Sequence, residues 1–234
     1  NVGKNEILVT VGDGWWRGDT GYGGVRNSFG TDLAILCQLE IDRKTVLISD
    51  KSWSASQEGP LGLNDLMQGE CYDARKENIC EWHPVTEKQF GYENLVCSNS
   101  FDVVEKENYT GKHIHTPNGE VVIDFGQNIA GYVKFGFYAQ AGQCITLYHG
   151  ECLDQNGNFT QENFQAPEHR VEQCVKYICK EGWNEYKPEK SIFGFRYIKA
   201  ITDVKVTEKN FTAIAVYSDM PQTGKFECGH PGIN

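Results

Sequence analysis

The chain has 234 residues, with 22 basic against 32 acidic side chains and a net charge of −10. Binding phosphates requires clustered Lys and Arg, so nucleic acid is not an expected partner. No run approaches the 18 apolar residues that span a bilayer, and Asn1 opens without a basic and then apolar leader, so the expectation is a soluble chain; the lack of an initiator Met reads as a processed or excised piece. A chain of this length buries roughly 70–75% of its extended surface on folding, so neither metal nor disulfide is needed to explain stability.

The first strand-like run is Glu6 to Val11, followed by the glycine-rich stretch Gly12-Asp13-Gly14-Trp15-Trp16-Arg17-Gly18, which continues through Gly21-Tyr22-Gly23-Gly24 to Gly30-Thr31-Asp32. It lacks the GxxxxGK[ST] signature and the strand–GxGxxG–helix context of a nucleotide loop. Two readings of its aromatic residues stand. In one, Trp15 and Trp16 alternate between core and surface at a sheet corner. In the other, Trp15, Trp16, Arg17 and Tyr22 contact a sugar, whose C–H faces pack on rings and whose hydroxyls need hydrogen-bond partners.

Next, Leu33, Ile35, Cys37, Leu39 and Ile41 take every second position, the period-2 pattern of a half-buried strand. Further strand patterns cover Thr45 to Ser49, Val121 to Phe125, Gly131 to Tyr138, Cys144 to His149, Ile192 to Ile201 and Phe211 to Tyr217. The segment Val171 to Cys179 fits helix or strand spacing, and its β-branched and aromatic content favours strand. Asn118-Gly119 and Asn156-Gly157 are turn signals. Between about residues 99 and 118 apolar periodicity weakens, which predicts a boundary between two β modules. The expected fold class is all-β, two antiparallel β-sandwich modules of jelly-roll character.

The nine cysteines are odd in number and lack a CxxC pair, a pattern that fits reduced thiols acting as small hydrophobes, several of them buried, and a cytoplasmic location. The sets Cys144, His149, Cys152 and Cys71, Cys80, His83 lack a zinc knuckle. GxSxG, HExxH and EF-hand motifs are absent. The carboxylates of Glu70, Asp124 and Glu151 read as acceptors of turn hydrogen bonds, and Arg196 between Phe195 and Tyr197 reads as a stacked ion-pair partner. His149 is read as structural in the same way.

A series of ordered elements carries a family resemblance: the string GDGWWRG; Phe29-Gly30-Thr31-Asp32 with Leu33 to Ile41; Ser49-Asp50-Lys51-Ser52-Trp53; Asn64-Asp65-Leu66 with Gly69-Glu70-Cys71-Tyr72-Asp73-Ala74-Arg75; Asp124-Phe125-Gly126-Gln127-Asn128-Ile129-Ala130-Gly131; Tyr148 to Leu153; Phe193 to Tyr197; and Thr223-Gly224-Lys225-Phe226-Glu227-Cys228. Together they resemble the front part of bacterial α-L-rhamnosidases, departing from it at Thr31 and over residues 106–110. The resemblance implies an N-terminal-type β-sandwich over residues 1–102, a concanavalin-like sandwich over 103–220, and a lead-in over 221–234 to an α/α barrel that this sequence does not contain. In that family the catalytic carboxylates belong to the barrel, so none is carried onto this chain. The expected role is accessory: bracing the barrel and assisting recognition of a rhamnose-containing glycoside. The alternatives are a free-standing carbohydrate-binding module and a purely structural module. Relatives include rhamnose-binding modules that use calcium, which makes Asp19, Asn27, Asp32, Asn64, Asp65 and Asp73 the candidate calcium ligands.

Overall fold

A computed structural model of the chain describes residues 3–21, 23–89 and 91–233. It is all-β. After a single helical turn, α1 (Gly14–Arg17), come β1 (Gln38–Ile41), β2 (Lys44–Ile48), β3 (Ser54–Ala55), β4 (Leu61–Asp65), β5 (Gly69–Asp73), β6 (His83–Pro84) and β7 (Val103–Thr110). They are followed by β8 (Lys112–His115), β9 (Val121–Ala139), β10 (Cys144–Gly150), β11 (Cys174–Ile178), β12 (Gly182–Tyr186), β13 (Phe193–Thr202) and β14 (Phe211–Ser218).

Ten of these strands form one sheet in the order β4-β5-β11-β10-β13-β9-β14-β7, with β8 and β12 also paired to β9. The strand β9 merges two runs that the sequence separates, Val121 to Phe125 and Gly131 to Tyr138. Its first half pairs with β8, its second half with β14 and β12, and β13 pairs with residues on both sides of the join. The register against β13 shifts between Phe195 and Tyr197, where Gly126 sits at φ +81°, so one strand turns a corner instead of ending. The sheet thereby closes over a core. Phe135 on the second half of β9 meets Tyr177 on β11 edge-to-face at 5.2 Å, and Ile145, Leu147, Phe195, Ile198 and Phe211 fill the space between.

That core lies in the second module. Among the described residues, Ala74 is the one member of the buried apolar clusters that precedes residue 100. The run Leu33 to Ile41 corrects its expectation: only Gln38–Ile41 pairs, with β2, and Leu39 and Ile41 stay 40% and 56% exposed because no second layer covers that two-stranded sheet. Glu6 to Val11 forms no strand. The segment of weak periodicity, residues 99–118, holds β7 and β8, and its apolar pattern is weak because β7 is an edge strand with mostly exposed side chains. At 171–179 the strand reading holds, as β11. Burial of the cysteines is narrower than expected: Cys174 and Cys179 are buried, while Cys80 and Cys97 are exposed.

Candidate functional site

The glycine-rich stretch folds into a loop that holds one of its two indoles, Trp16, from behind. Gly14 adopts φ +50°, opening the single turn that presents Trp15 and Trp16 side by side, 55% and 46% exposed. The Trp16 Nε1–H donates to the Asp32 carbonyl at 2.9 Å, and its ring stacks on Phe29 at 6.5 Å. It also lies against Gly30, where a Cβ would come within 2.5 Å of the indole. Arg17 donates to the Thr31 carbonyl at 3.3 Å and pairs with Asp13 at 2.7 Å. Trp15 has no hydrogen-bond or ring partner among the described residues, and Tyr22 lies outside them.

Beneath this loop three carboxylates converge on one guanidinium. Arg26 reaches Asp65 at 2.7 Å, Asp13 at 2.8 Å and Asp19 at 3.3 Å. Asp65 is fully buried and also accepts from the backbone N–H groups of Asp19 at 2.9 Å, Met67 at 2.9 Å and Gln68 at 3.1 Å, which replaces the water it has lost. Asp19 further accepts from Gln68 Nε2 at 2.7 Å and lies 3.3 Å from His169 Nε2. Of the six candidate calcium ligands, only Asp19 and Asp65 share a cation in this way.

The other four go elsewhere. Asn64 donates to Glu70 at 3.3 Å, and Asn27 is exposed at φ +59°. Asp32 pairs with Lys88, which holds its carboxyl below the usual range, and Asp73 clasps Arg75 through bonds of 2.9 and 2.8 Å with the same effect. Among the described residues no group of three or more His, Cys, Asp or Glu side chains is arranged to hold a metal ion. The carboxylates that would supply calcium's six to eight oxygens are engaged by the protein's own cations, so this set does not fit the ion.

The residues around Asp65 also form the seam between the modules. The strand β5 runs parallel to β11, from Gly69 opposite Cys174 to Asp73 opposite Ile178. Glu70, 1% exposed, accepts from the Tyr186 hydroxyl at 3.0 Å and the Lys190 N–H at 2.7 Å, while burial pushes its carboxyl above the usual range. Gln68 Oε1 takes the Glu172 N–H at 3.1 Å. Arg26, Asp13, Gln68 and His169 escaped the sequence reading. His169 lies 150 residues from its partner Asp19, and the only available signal for Arg26 was its place, with Arg17, near the acids Asp13 and Asp19.

The remaining motif residues take structural roles. Arg196 grips Asp124 through two bonds of 2.8 Å, lowering that carboxyl, and lies 5.0 Å over the Tyr197 ring. Glu151 accepts from Asn163 at 2.8 Å and Asn128 at 3.4 Å. His149 is fully buried, stacks on Phe193 at 4.0 Å and meets the Gln173 carbonyl through Nδ1 at 3.0 Å, and burial holds its imidazole down to about 4.

Comparison with known proteins finds two family matches along the chain. The α-L-rhamnosidase N-terminal domain family matches residues 1–110, and the bacterial α-L-rhamnosidase concanavalin-like domain family matches residues 114–217. An α-L-rhamnosidase of Formosa agariphila is 27% identical over 99% of this chain and 27% of its own length, and one from Streptomyces avermitilis is 28% identical over 99% and 24%. Among solved structures, the native α-L-rhamnosidase of Aspergillus terreus superposes with a TM-score of 0.83 at 30% identity, over 95% of this chain and 27% of that one. The Streptomyces avermitilis enzyme complexed with L-rhamnose gives 0.78 at 26% identity, over 94% and 22%. The chain thus spans about a quarter of the length of the relatives it matches.

Proposed function

The chain belongs to the α-L-rhamnosidase family, as its N-terminal and concanavalin-like domains, and from that premise we propose that it is the non-catalytic accessory part of an enzyme that releases terminal α-L-rhamnose. In this reading the two modules brace the catalytic barrel, and the indole loop binds the sugar weakly. The observation that carries it is the contrast within the first module: the half-exposed Trp16 indole is held from behind beside an exposed Trp15, while the carboxylates next to them are committed to Arg26 and Arg17. Inverting glycoside hydrolysis needs one acid and one base about 6.5–9.5 Å apart, each free to exchange a proton, and carboxylates locked to guanidinium groups do not provide that. Flat rings with adjacent hydrogen-bonding groups suit the C–H face of a sugar.

Two measurements on the purified chain test this. A chromogenic aryl α-L-rhamnoside should show no turnover above a mock purification; turnover abolished by changing one carboxylate of this chain overturns the accessory role. Calorimetry with L-rhamnose should give a millimolar dissociation constant, about −4 kcal/mol, that weakens in Trp16→Ala. Because Arg26 stands where a cation would, chelator should leave that affinity unchanged. Absence of heat at high sugar concentration removes the recognition role and leaves the bracing role.

A further inference from the structure

The outer surface of the second module carries a groove that the indole loop does not explain. Strand alternation puts Tyr132, Lys134, Gly136 and Tyr138 of β9 on the face opposite the core, since Val133, Phe135 and Phe137 between them are core residues. The β12 register sets Trp183 against Tyr138 and Glu185 against Gly136 on the same face, and β14 adds Ile214 opposite Tyr132. Ile214 and Val216 belong to neither core cluster, yet they are only 5% and 6% exposed. They are floored over from outside.

The segment joining β12 to β13, residues 187–192, borders the space beside them. Two cavities of about 340 and 420 Å³ lie along it, the first bordered by Val216, Tyr132 and Ser191, the second by Ile214, Lys134 and Lys187, and they share Glu105 and Glu189. Their polar groups are already oriented. The Tyr132 hydroxyl donates to Glu105 at 2.7 Å and Lys187 donates to it at 2.5 Å, both on Oε1, which leaves Oε2 with its acceptor sites; the two donors hold that carboxyl below the usual range. Lys187 also lies 5.8 Å over the Tyr132 ring. Farther along, Lys134 and Glu185 pair at 3.0 Å, and beyond them Trp183 and Tyr138 form an exposed edge-to-face pair at 5.1 Å. The indole lies over Gly136, where a Cβ would come within 2.8 Å of it. From Tyr132 to Tyr138 the face runs about 20 Å.

We propose that this groove is a second carbohydrate-binding site, taking a neutral oligosaccharide along the outer face of β9 from Tyr132 to the Trp183–Tyr138 pair. The charges select the ligand class. Glu105, Glu185 and Glu189 are balanced by Lys134, Lys187 and Lys190, so the groove has no net field to hold a phosphate or a polyanion. Oriented carboxylate and ammonium groups offer hydroxyls both acceptors and donors, and the aromatic rings offer flat surfaces for pyranose C–H faces. Its length suits a chain of sugars better than one terminal residue. The site shares no residue with the indole loop: it is built on β7, β9, β12, β14 and the segment that joins β12 to β13.

Affinity electrophoresis of the whole chain through gels cast with arabinogalactan, xyloglucan, galactomannan or polygalacturonate tests it, with a polysaccharide-free gel as reference. At least one neutral polymer should retard the chain. Trp183→Ala and Tyr132→Ala should each weaken that retardation about fivefold, and Glu105→Gln should weaken it without changing the melting temperature. The double variant Trp15→Ala/Trp16→Ala should migrate as the parent does, which separates this site from the rhamnose-binding reading. Retardation by no neutral polymer, retardation by polygalacturonate alone, or retardation that survives in Trp183→Ala and Tyr132→Ala overturns the proposal.

Discussion

Gly69 rests directly on the backbone of Cys174: a Cβ at Gly69 would stand 1.9 Å from the Cys174 carbonyl oxygen, and the glycine holds φ +109°. This contact is the first register position of the parallel pairing that joins the two modules. Both space and backbone conformation there exclude a side chain.

Gly69→Ala should therefore cost about 3 kcal/mol or more, because the obstacle is a carbonyl group and not a side-chain tip that can swing away. Urea unfolding measures the loss, and hydrogen exchange over residues 174–178 should rise with it. An unchanged midpoint and unchanged protection would show that the seam yields without cost.

Removing the cation from the Asp13–Asp19–Asp65 cluster should be costly in a different way. Arg26→Ala leaves Asp65 buried without its counter-charge, and we expect a loss of about 2–4 kcal/mol. The figure sits toward the low side of a fully buried pair because the Arg26 side chain is 40% exposed. Adding Asp65→Asn should recover part of it in a double-mutant cycle; strictly additive losses would mean that the two groups are not coupled.

His149 should make stability depend on pH. Its imidazole titrates near 6.5 in the unfolded chain and about 4 in the folded one, where burial opposes the charge. The unfolded state then binds more protons across that window, so the stabilisation is full above about pH 6.5 and is lost as pH falls toward about 4, some 3 kcal/mol in all. Buried Glu70, raised instead of lowered, works in the opposite direction. The comparison that isolates His149 is the pH slope of unfolding free energy in His149→Gln against the parent between pH 7 and 5; equal slopes would remove His149 as its source.

The thiols should divide by reactivity. Cys80 and Cys97 are exposed and should react with a thiol reagent at pH 8 within minutes, whereas burial raises the thiol of Cys174 to about 12 and that of Cys179 to about 11. Mass spectrometry of the alkylated native chain should find the first two labelled and the last two unlabelled until denaturant is added. Early labelling of Cys174 would show that β11 opens readily.

The strands that sequence reading found best are those whose alternation packs against a partner layer, as in Cys144 to His149 and Phe211 to Tyr217. Period 2 reports a buried face, and β10 and β14 have one. Leu33 to Ile41 shows the same alternation without a layer above it, so the pattern was present and the burial was not. The strand β7 lacks the signal for the reverse reason: its pairing with β14 is by backbone, and most of its side chains face water. At the indole loop, Trp15, Trp16 and Arg17 were legible as chemistry. The grouping of Asp19 and Asp65 around Arg26 was not, because three residues of one cluster sit 39 and 7 positions apart and nothing local marks them. The groove beside residues 187–192 depends on strands far apart in the chain and left no local trace.

The pairing of β5 with β11 also sets an order of events during synthesis. Gly69 and Cys174 are separated by more than a hundred residues, and a ribosome adding about 5–20 residues per second needs roughly 5–20 s to deliver the second after the first. Through that interval the GECYD strand has its hairpin partner β4 but not yet β11 on its other edge, and among the described residues the first module contributes only Ala74 to a buried apolar cluster. Its exposed Ile35, Leu36, Leu39 and Ile41 are then a nascent-chain hazard, open to chaperones and to other unfinished copies. Slowing elongation between codons 74 and 174 should lower the soluble yield of this chain more than slowing it after codon 178.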